Sequence, residues 1–445
     1  MVRTDQRARD DQLTTVRVGL LGCGNVGDAL VELVDNEAEE IASRSGVHLA
    51  ITRIAVRDLN KARRAKDLSG RLTDDAMSVV EDPDIDLVVE LIGGIEPAQS
   101  LIETALRGGK SVISANKELL ATHGTHLHDL AAKAGRDLLY EASVGGAIPL
   151  VRALSVSLAG ERVNRVMGIV NGTTNYILSR MQSAHATYEE ALAEAIRLGF
   201  AEADPTADVE GFDAAAKTAI IASIAFNADV SVDAVYRQGI TDIDLADIEF
   251  AQRRGYAVKL LALAHREGDG DNESIAVRVH PAMISNDHPL ALVNGPFNAI
   301  FVEGEHAGEL MLYGRGAGGQ PSASAVLGDL LDAARALKRE TTFLHPVRRH
   351  VRIRSIDELE STYCITLEVL DRPGVMAAVA EVFGRYGVSI RSMEQVGLTS
   401  EARMIFITHL ALESDVQATL QGLKELDSVV RVGGLVRVIG DEDGE

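Results

Sequence analysis

The sequence predicts an α/β protein that opens on a doubly wound parallel sheet, continues into an α+β region and closes on a small βαββαβ module. Three observations predict it. Strand-like runs alternate with helical stretches over the first third of the chain, the order a parallel sheet requires. The glycine pattern Gly22-Cys23-Gly24-Asn25-Val26-Gly27 stands between the first strand and the first helix. From Tyr363 onward the order is strand, helix, strand, strand, helix, strand. The expected division is a disordered lead-in over residues 1–15, an α/β domain over 16–149 and an α+β domain over 150–310. A further segment (311–340), a linker (341–362) and the terminal module (363–445) follow.

In chain order, Val16–Leu21 is a β-type run, and the stretch DALVELVDNEAEEIA after the glycines reads as one helix. In G-x-G-x-x-G the first glycine permits a tight turn, the second lets a pyrophosphate approach the backbone, and the third allows close helix–strand packing. Phosphate oxygens would then rest on the N–H groups of Asn25, Val26 and Gly27 at the helix N-terminus. Strand-like runs recur at Leu49–Val56, Leu87–Leu91, Ser111–Ser114 and Leu138–Glu141, with helices at Ala98–Arg107 and Leu119–Ala134. Ligands of such sheets bind beyond the carboxyl ends of strands. That singles out Arg57, Gly93, Gly94, Ser114, Asn116, Lys117 and Glu141.

From Pro149 the pattern changes. The strand RVNRVMGIV leads into Asn171-Gly172-Thr173-Thr174-Asn175-Tyr176, and further strands fall at Ser274–Ile284 and Ala299–Gly304. This reads as an α+β domain on a sheet of its own. Met311–Tyr313 and the cluster Gly314-Arg315-Gly316-Ala317-Gly318-Gly319 precede a helix from Pro321 to Lys338, with proline in its first turn. After a polar link, the terminal module offers strands at Tyr363–Leu370, Val388–Gly397, Met404–Ala411 and Val429–Ile439. Its helices are Met376–Tyr386 and Ser414–Leu426.

Composition narrows the class. A net charge of −22 argues against a nucleic-acid partner, whose phosphates need a basic face. No apolar run approaches the roughly 18 residues of a membrane helix, and the polar start does not read as a secretory signal. The two cysteines, Cys23 and Cys364, fall in different predicted domains, so no disulfide framework is expected and a reducing cytoplasm is the simplest setting. The twelve histidines show no metal-ligand spacing.

The chemistry concentrates between Ala195 and Lys217, AIRLGFAEADPTADVEGFDAAAK. One helix is capped by Thr187 with Glu190 and ends at Gly199. The next carries Asp213 and Lys217 at i and i+4, on one face. Between them lie Glu202, Asp204 and Asp208. Carboxylates ending beside one lysine suit gripping a small zwitterion and moving a proton. A surface loop with an ordinary helical ion pair is the plain alternative.

The spacing of Ala195, Gly199, Phe200, Ala201, Asp204, Pro205, Asp208, Val209, Gly211, Asp213 and Lys217 resembles the signature of the homoserine dehydrogenases. The likeness runs from about residue 16 to the end, in the monofunctional arrangement. It implies a Rossmann-type dinucleotide-binding domain over 16–149 to which 311–340 returns, an α+β substrate-binding, catalytic and dimerisation domain over 150–310, and a C-terminal ACT domain, whose match lies in Asp371-Arg372-Pro373-Gly374-Val375 and the later Gly387-Val388-Ser389-Ile390. The implied reaction interconverts aspartate 4-semialdehyde and homoserine with a nicotinamide cofactor. Lys217 matches the proton donor, and Glu202 and Asp213 match substrate contacts, with Asn171 and Thr173 expected beside them. Lys117, following a strand of the nucleotide domain, is expected to face the nicotinamide, and Asp208 is expected to orient Lys217, with a turn or N-cap aspartate as the plain alternative.

For the cofactor, the glycine turn and the strand ends point to Gly22, Gly24, Asn25, Val26, Gly27, Arg57, Gly93, Ser114 and Lys117, and the likeness adds Gly318. NADP is favoured because Arg57 could take a 2′-phosphate, with NAD the alternative because Asp58 follows it. Glu141, Val144, Gly146 and Ile148 match a monovalent-cation site, sodium first, whose oxygen ligation suits a hard ion. Asp371, Gly374, Val375 and Ser389 are the expected effector contacts, with threonine the expected effector. A homo-oligomer, dimer or tetramer, is expected. The rival that oxidises the same semialdehyde to an acyl phosphate needs a nucleophilic cysteine. Cys23 belongs to the phosphate loop and Cys364 to a strand. A non-catalytic sensor would leave the Lys217 signature without purpose.

Overall fold

A computed structural model describes residues 14–66, 68–343, 348–397 and 400–440. The chain forms two compact units. One draws on the chain up to Gly160, on Ser223–Ser231 and on Gly314–His350; the other on Glu161–Ala222, Val232–Tyr313 and the chain from Val351.

The first unit holds a six-stranded sheet in the order Leu72–Thr73, Val47–Ala55, Thr14–Leu21, Leu87–Glu90, Ser111–Ser114, Leu138–Leu139. Every pairing in it is parallel. The order reverses between Thr14–Leu21 and Leu87–Glu90, so their carboxyl ends open a crevice into which Gly22 and Gly93 emerge. Val18, Leu20, Leu87 and Val89 form the sheet's side of one core, and Leu30 and Val34 cover them. The helix Gly319–Arg339 adds Ala323, Val326, Leu330 and Ala333, a helical stripe. Burying each of these larger aliphatic side chains contributes about 1.5–3 kcal/mol.

Several expectations need adjusting here. The first strand begins at Thr14, inside the expected lead-in, and residues 1–13 lie outside the described residues. The single first helix is two, Asn25–Asn36 and Ala38–Ser45, broken at Glu37, whose φ of −113° and ψ of 21° leave the helical range. The later helix starts at Gly319 rather than Pro321.

The second unit is built on one long sheet. Its order is Gly308–Arg315, Phe297–Gly304, Val163–Ile169, Tyr256–Glu267, Ser274–Ser285, Val429–Ile439, Glu360–Leu370, Glu401–Thr408, Ile390–Gly397. The substrate region therefore does not keep a sheet of its own. Ala282, Met283 and Ile284 pair in parallel with Arg437, Val438 and Ile439, which joins the terminal βαββαβ module to it. The physical reason is edge satisfaction: an unpaired edge on the almost wholly buried strand Ser274–Ser285 would strand its polar backbone groups. Within the terminal module, Val379, Phe383, Leu420 and Leu423 of the helices Val375–Arg385 and Glu413–Lys424 cover Ile365, Leu367, Met404 and Phe406. Among the described residues no helix is long and apolar enough to cross a membrane.

Candidate active site

The buried strand Val163–Ile169 delivers Val170 and Asn171 to the start of the helix Gly172–Ala184. Asn171 caps that helix: its Oδ1 accepts from the Thr174 amide at 2.8 Å. This fixes the direction of Nδ2, which donates to Asp208 Oδ1 at 2.7 Å and to Asp213 Oδ2 at 2.9 Å. The same Asp213 oxygen accepts from Lys217 Nζ at 2.7 Å, and Nζ also donates to the Val170 carbonyl at 2.8 Å. Asp213 and Lys217 are only 7% and 8% exposed, so the pair is desolvated. Removing one partner of such a pair leaves an uncompensated buried charge, at a cost of roughly 3–5 kcal/mol.

The signature therefore closes into a chain running Asp208, Asn171, Asp213, Lys217. Asp208 was expected to orient Lys217; it reaches the lysine through Asn171 and Asp213, because the short helix Thr206–Val209 turns its carboxylate toward the asparagine. Thr173 Oγ1 donates to the Phe200 carbonyl at 2.6 Å, pinning the loop after Gly199, while Glu202 is exposed on that loop. Asp204 accepts from the Thr206 amide and steadies the turn into Asp208. The capping box of Thr187 and Glu190 and the left-handed Gly199 stand where the sequence put them.

In the first unit, the three glycines of the turn do different work. A Cβ on Gly22 would lie 2.7 Å from the Leu91 carbonyl oxygen, and one on Gly27 would lie 2.4 Å from the Gly22 oxygen. Gly24 faces open space at the N-terminus of Asn25–Asn36, a helix without a side-chain cap. That cradle fits a pyrophosphate, with Asn25, Val26 and Gly27 at its base. Gly318, at φ 131°, precedes Gly319, whose Cβ would come within 2.9 Å of the Asn25 oxygen, so this second glycine turn borders the same cradle.

Glu90, which the sequence reading passed over, organises the rest of the crevice. Fully buried, it accepts from the Ile92 and Gly93 amides through Oε1 and from Ser114 Oγ at 2.7 Å through Oε2. Its one available signal was a glutamate ending the apolar run LVVE. Asn116 caps the helix Lys117–Ala134 and donates to the Gly94 carbonyl at 2.6 Å, which sets Lys117 at the first helical position. Arg57 is exposed after the second strand. Asp58 is drawn into its own turn, accepting from the Asn60 amide.

A family model described as homoserine dehydrogenase matches residues 149–331, one described as its NAD-binding domain matches residues 22–141, and an ACT domain model matches residues 365–428. The homoserine dehydrogenase of Corynebacterium glutamicum is 47% identical over 437 residues, covering 96% of this chain and 96% of that one. The chain belongs to the homoserine dehydrogenase family. Solved homoserine dehydrogenases agree. That of Thiobacillus denitrificans superposes with a TM-score of 0.89 at 38% identity, over 96% of this chain and 99% of its own. That of Staphylococcus aureus at pH 7.5 gives 0.75 at 33% identity, over 96% and 100%. The protein is thus an NAD(P)-dependent oxidoreductase acting on a CH–OH group, with a C-terminal ACT domain.

For a homoserine dehydrogenase the remaining expected positions fall as follows. Glu141 is buried, and its two oxygens accept from the Val151 and Arg152 amides at 2.8 and 2.9 Å. Burial pushes its carboxyl up despite those bonds. Val144 and Ile148 are buried nearby in sequence, and a Cβ on Gly146 would strike the backbone of Gly316 at 2.6 Å. Among the described residues no three His, Cys, Asp or Glu side chains cluster as metal ligands. Both cysteines are buried, and burial raises both thiols, which removes the thiolate an acyl-phosphate rival would need.

The expected effector contacts do not all meet. Asp371 and Gly374 sit at the end of Glu360–Leu370, and a Cβ on Gly397 would lie 3.5 Å from Asp371 Oδ2. Ser389 precedes the opposite end of Ile390–Gly397, because that strand and Glu360–Leu370 are both antiparallel to Glu401–Thr408. At about 3.3 Å per residue, the strand separates Ser389 from Gly397 by roughly 25 Å. Within one chain, Ser389 therefore cannot share a ligand with Asp371, Gly374 and Val375.

Proposed function

We propose that Lys217 delivers the proton in the interconversion of aspartate 4-semialdehyde and homoserine. A nicotinamide cofactor held at the glycine turn Gly22–Gly27 would supply the hydride to the aldehyde carbon, or accept it in reverse. Lys217 Nζ then protonates the resulting alkoxide oxygen and takes that proton back when homoserine is oxidised. Two of its three donors are held by Asp213 and Val170, which aims the third. Asn171 keeps Asp208 and Asp213 together, Glu202 receives the substrate ammonium, and Thr173 holds the loop that carries Glu202. Lys117, set by the Asn116 cap, supplies a second cation beside the nicotinamide. The observation that carries this reading is the buried chain of bonds from Asp208 to Lys217. Its test is aldehyde-dependent NADPH oxidation by the full chain and by Lys217→Ala, with cofactor binding measured separately.

The finer readings rest on their own supports. NADPH is favoured over NADH because Asp58, the acid that would take a ribose hydroxyl, is committed to its turn while Arg57 is exposed beside it. A monovalent cation, sodium first, at Glu141, Val144, Gly146 and Ile148 is supported by the desolvated carboxylate of Glu141, an oxygen donor of the kind a hard ion takes. Threonine acting at the ACT turn is supported by Gly374, at φ 91°, opening a helix that has no side-chain cap. A homo-oligomer is supported by Leu310, Met311 and Tyr313, exposed along the outermost strand. Two free cysteines suit a reducing cytoplasm.

A further inference from the structure

Two arginines that the sequence reading did not single out hold the substrate loop in place. Tyr236 and Arg237 pair in parallel with Arg278 and Val279 of the strand Ser274–Ser285, and the Gln238 amide donates to the Val279 carbonyl at 2.8 Å. From that anchored base Arg237 reaches the loop between Asp208 and Asp213. Its Nη1 donates to the Glu210 carbonyl at 2.8 Å, and its guanidinium carbon lies 3.4 Å from the centre of the Phe212 ring. The residues after it complete the grip. The Ile240 amide donates to the Val209 carbonyl at 2.8 Å, and Thr241 Oγ1 donates to Glu210 Oε1 at 3.1 Å. Gly239 must be glycine for this approach, since a Cβ there would stand 2.4 Å from the Val209 oxygen.

The other side of the same segment is held by Arg437, which is fully buried on the closing strand of the ACT domain. Arg437 donates through Nη1 to Gln238 Oε1 at 2.7 Å and through Nη2 to the Tyr236 hydroxyl at 3.2 Å. Gln238 Nε2 returns a bond to the Leu435 carbonyl at 2.9 Å. The remaining Arg437 donors meet Glu413, at the first position of the ACT domain's second helix, and Tyr363 donates its hydroxyl to the same carboxylate. A continuous set of bonds thus runs from Glu413 through Arg437, Gln238 and Arg237 to Glu210 and Phe212. Asp208 and Asp213 flank the last two.

We propose that Arg237 is a positioning residue for the reaction, fixing Val209–Phe212 so that Asp208 and Asp213 both meet Asn171, and that Arg437 is the residue through which the ACT domain holds this segment. The proposal rests on the reading that Asp208, Asp213 and Lys217 form the substrate site. It makes the ACT strand part of the support of that site. Any movement of Glu413 or Arg437 then reaches the loop without a separate relay.

The test uses the full chain and compares Arg237→Ala, Arg237→Lys, Arg437→Lys and Gln238→Ala with Lys217→Ala. Substrate KM, kcat, NADPH affinity by fluorescence and Tm are measured for each. Arg237→Ala is expected to raise substrate KM roughly tenfold and to lower kcat, the direction that loss of positioning gives, with NADPH affinity unchanged. Arg237→Lys should recover part of the loss, because lysine keeps the charge but not the planar stack on Phe212. Arg437→Lys and Gln238→Ala should raise KM in the same direction by less. Gln238→Ala reads the link even where a change at the buried Arg437 prevents folding. A lower Tm with unchanged KM in Arg237→Ala would overturn the positioning role, and an unchanged KM in Gln238→Ala would overturn the link to the ACT domain. Full turnover by Lys217→Ala would instead bring down the reading of the site beneath it.

Discussion

Lys217 and Asp213 stand one turn apart on the helix Phe212–Ala225, joined at 2.7 Å, with side chains only 10% and 6% exposed. An exposed pair at this spacing contributes a few tenths of a kcal/mol; a buried one fixes the lysine's direction. Lys217→Ala is expected to lower kcat by roughly 10²-fold or more, the scale of losing a general acid. NADPH affinity, measured by fluorescence quenching, should stay near that of the parent. Near-normal turnover in the variant would end the assignment and turn attention to Lys117→Ala.

Asn171 separates structure from chemistry in a second experiment. Serine at this position still caps the helix Gly172–Ala184 but is too short to reach Asp208 and Asp213 together. Asn171→Ser should therefore keep Tm within a few degrees of the parent while substrate KM rises about tenfold, the effect of freeing two site carboxylates. A variant with unchanged KM would show that the asparagine serves only as a cap.

These contacts mark how far the sequence could be read. The capping box at Thr187 and the glycines at 22 and 27 were legible because each answers a local demand: an unsatisfied amide, or backbone that leaves no room for a Cβ. Ser111–Ser114 and Val429–Ile439 likewise have the bounds their β-branched pattern gives. Tyr256–Glu267 was not legible. Its run YAVKLLALAHRE is rich in Ala and Leu, which favour helix, yet it is a strand because Val163–Ile169 and Ser274–Ser285 pair with both its edges. The pairing of Ala282–Ile284 with Arg437–Ile439 left no local trace either, since nothing near one segment names a partner so far along the chain. In the site, residue types were readable and the route was not: Asn171 as the bridge, and Glu90 behind Gly93 and Ser114, emerge only from contacts.

Cofactor choice should follow Arg57. A 2′-phosphate needs a cation beyond the second strand, whereas the acid there, Asp58, accepts a bond from the Asn60 amide. Arg57→Ala is expected to lower the ratio of kcat/KM for NADPH over NADH by about tenfold, the loss of one charge-assisted contact. An unchanged ratio would remove Arg57 from the site.

Stability should depend on pH through Asp329. It is 4% exposed, accepts from the Glu141 amide at 2.7 Å and from Arg152 at 3.0 Å, and burial pushes its carboxyl up to about 7. Its unfolded value is near 3.9, so between about pH 4 and 7 the folded chain holds a proton that the unfolded chain has released. Its contribution to stability is therefore fully present below pH 4 and is lost as pH rises to about 7. Asp329→Asn keeps an acceptor for the Glu141 amide, and Arg152 retains Asp332 at 3.0 Å. Denaturant unfolding across this range should show a flatter pH dependence in the variant. An identical slope would mean that Asp329 is ionised throughout.

Regulation through the ACT domain is best tested without cutting it off. Ending the chain near residue 350 would strip Val429–Ile439 from Ser274–Ser285 and take Arg437 away from Tyr236 and Gln238. Loss of activity in such a fragment would then report lost support of the substrate loop, not lost sensing. The full chain carrying Asp371→Asn avoids this, because Asp371 is an exposed residue at the ACT turn, outside the contacts that hold the loop. Threonine should inhibit the parent, and Asp371→Asn should need about tenfold more threonine for the same inhibition, the loss of one charged contact to the ammonium. Its uninhibited kcat should match the parent. Because coupling is reciprocal, saturating homoserine should also weaken threonine binding in the parent and do so less in the variant. Ser389→Ala adds a geometric reading: a site within one chain cannot include Ser389 together with Asp371, so inhibition should be unaffected. Relief of inhibition by both variants would place the effector between two chains, each giving one end of its ACT strand. Threonine without effect on the parent, or equally potent on Asp371→Asn, would refute the effector site at this turn.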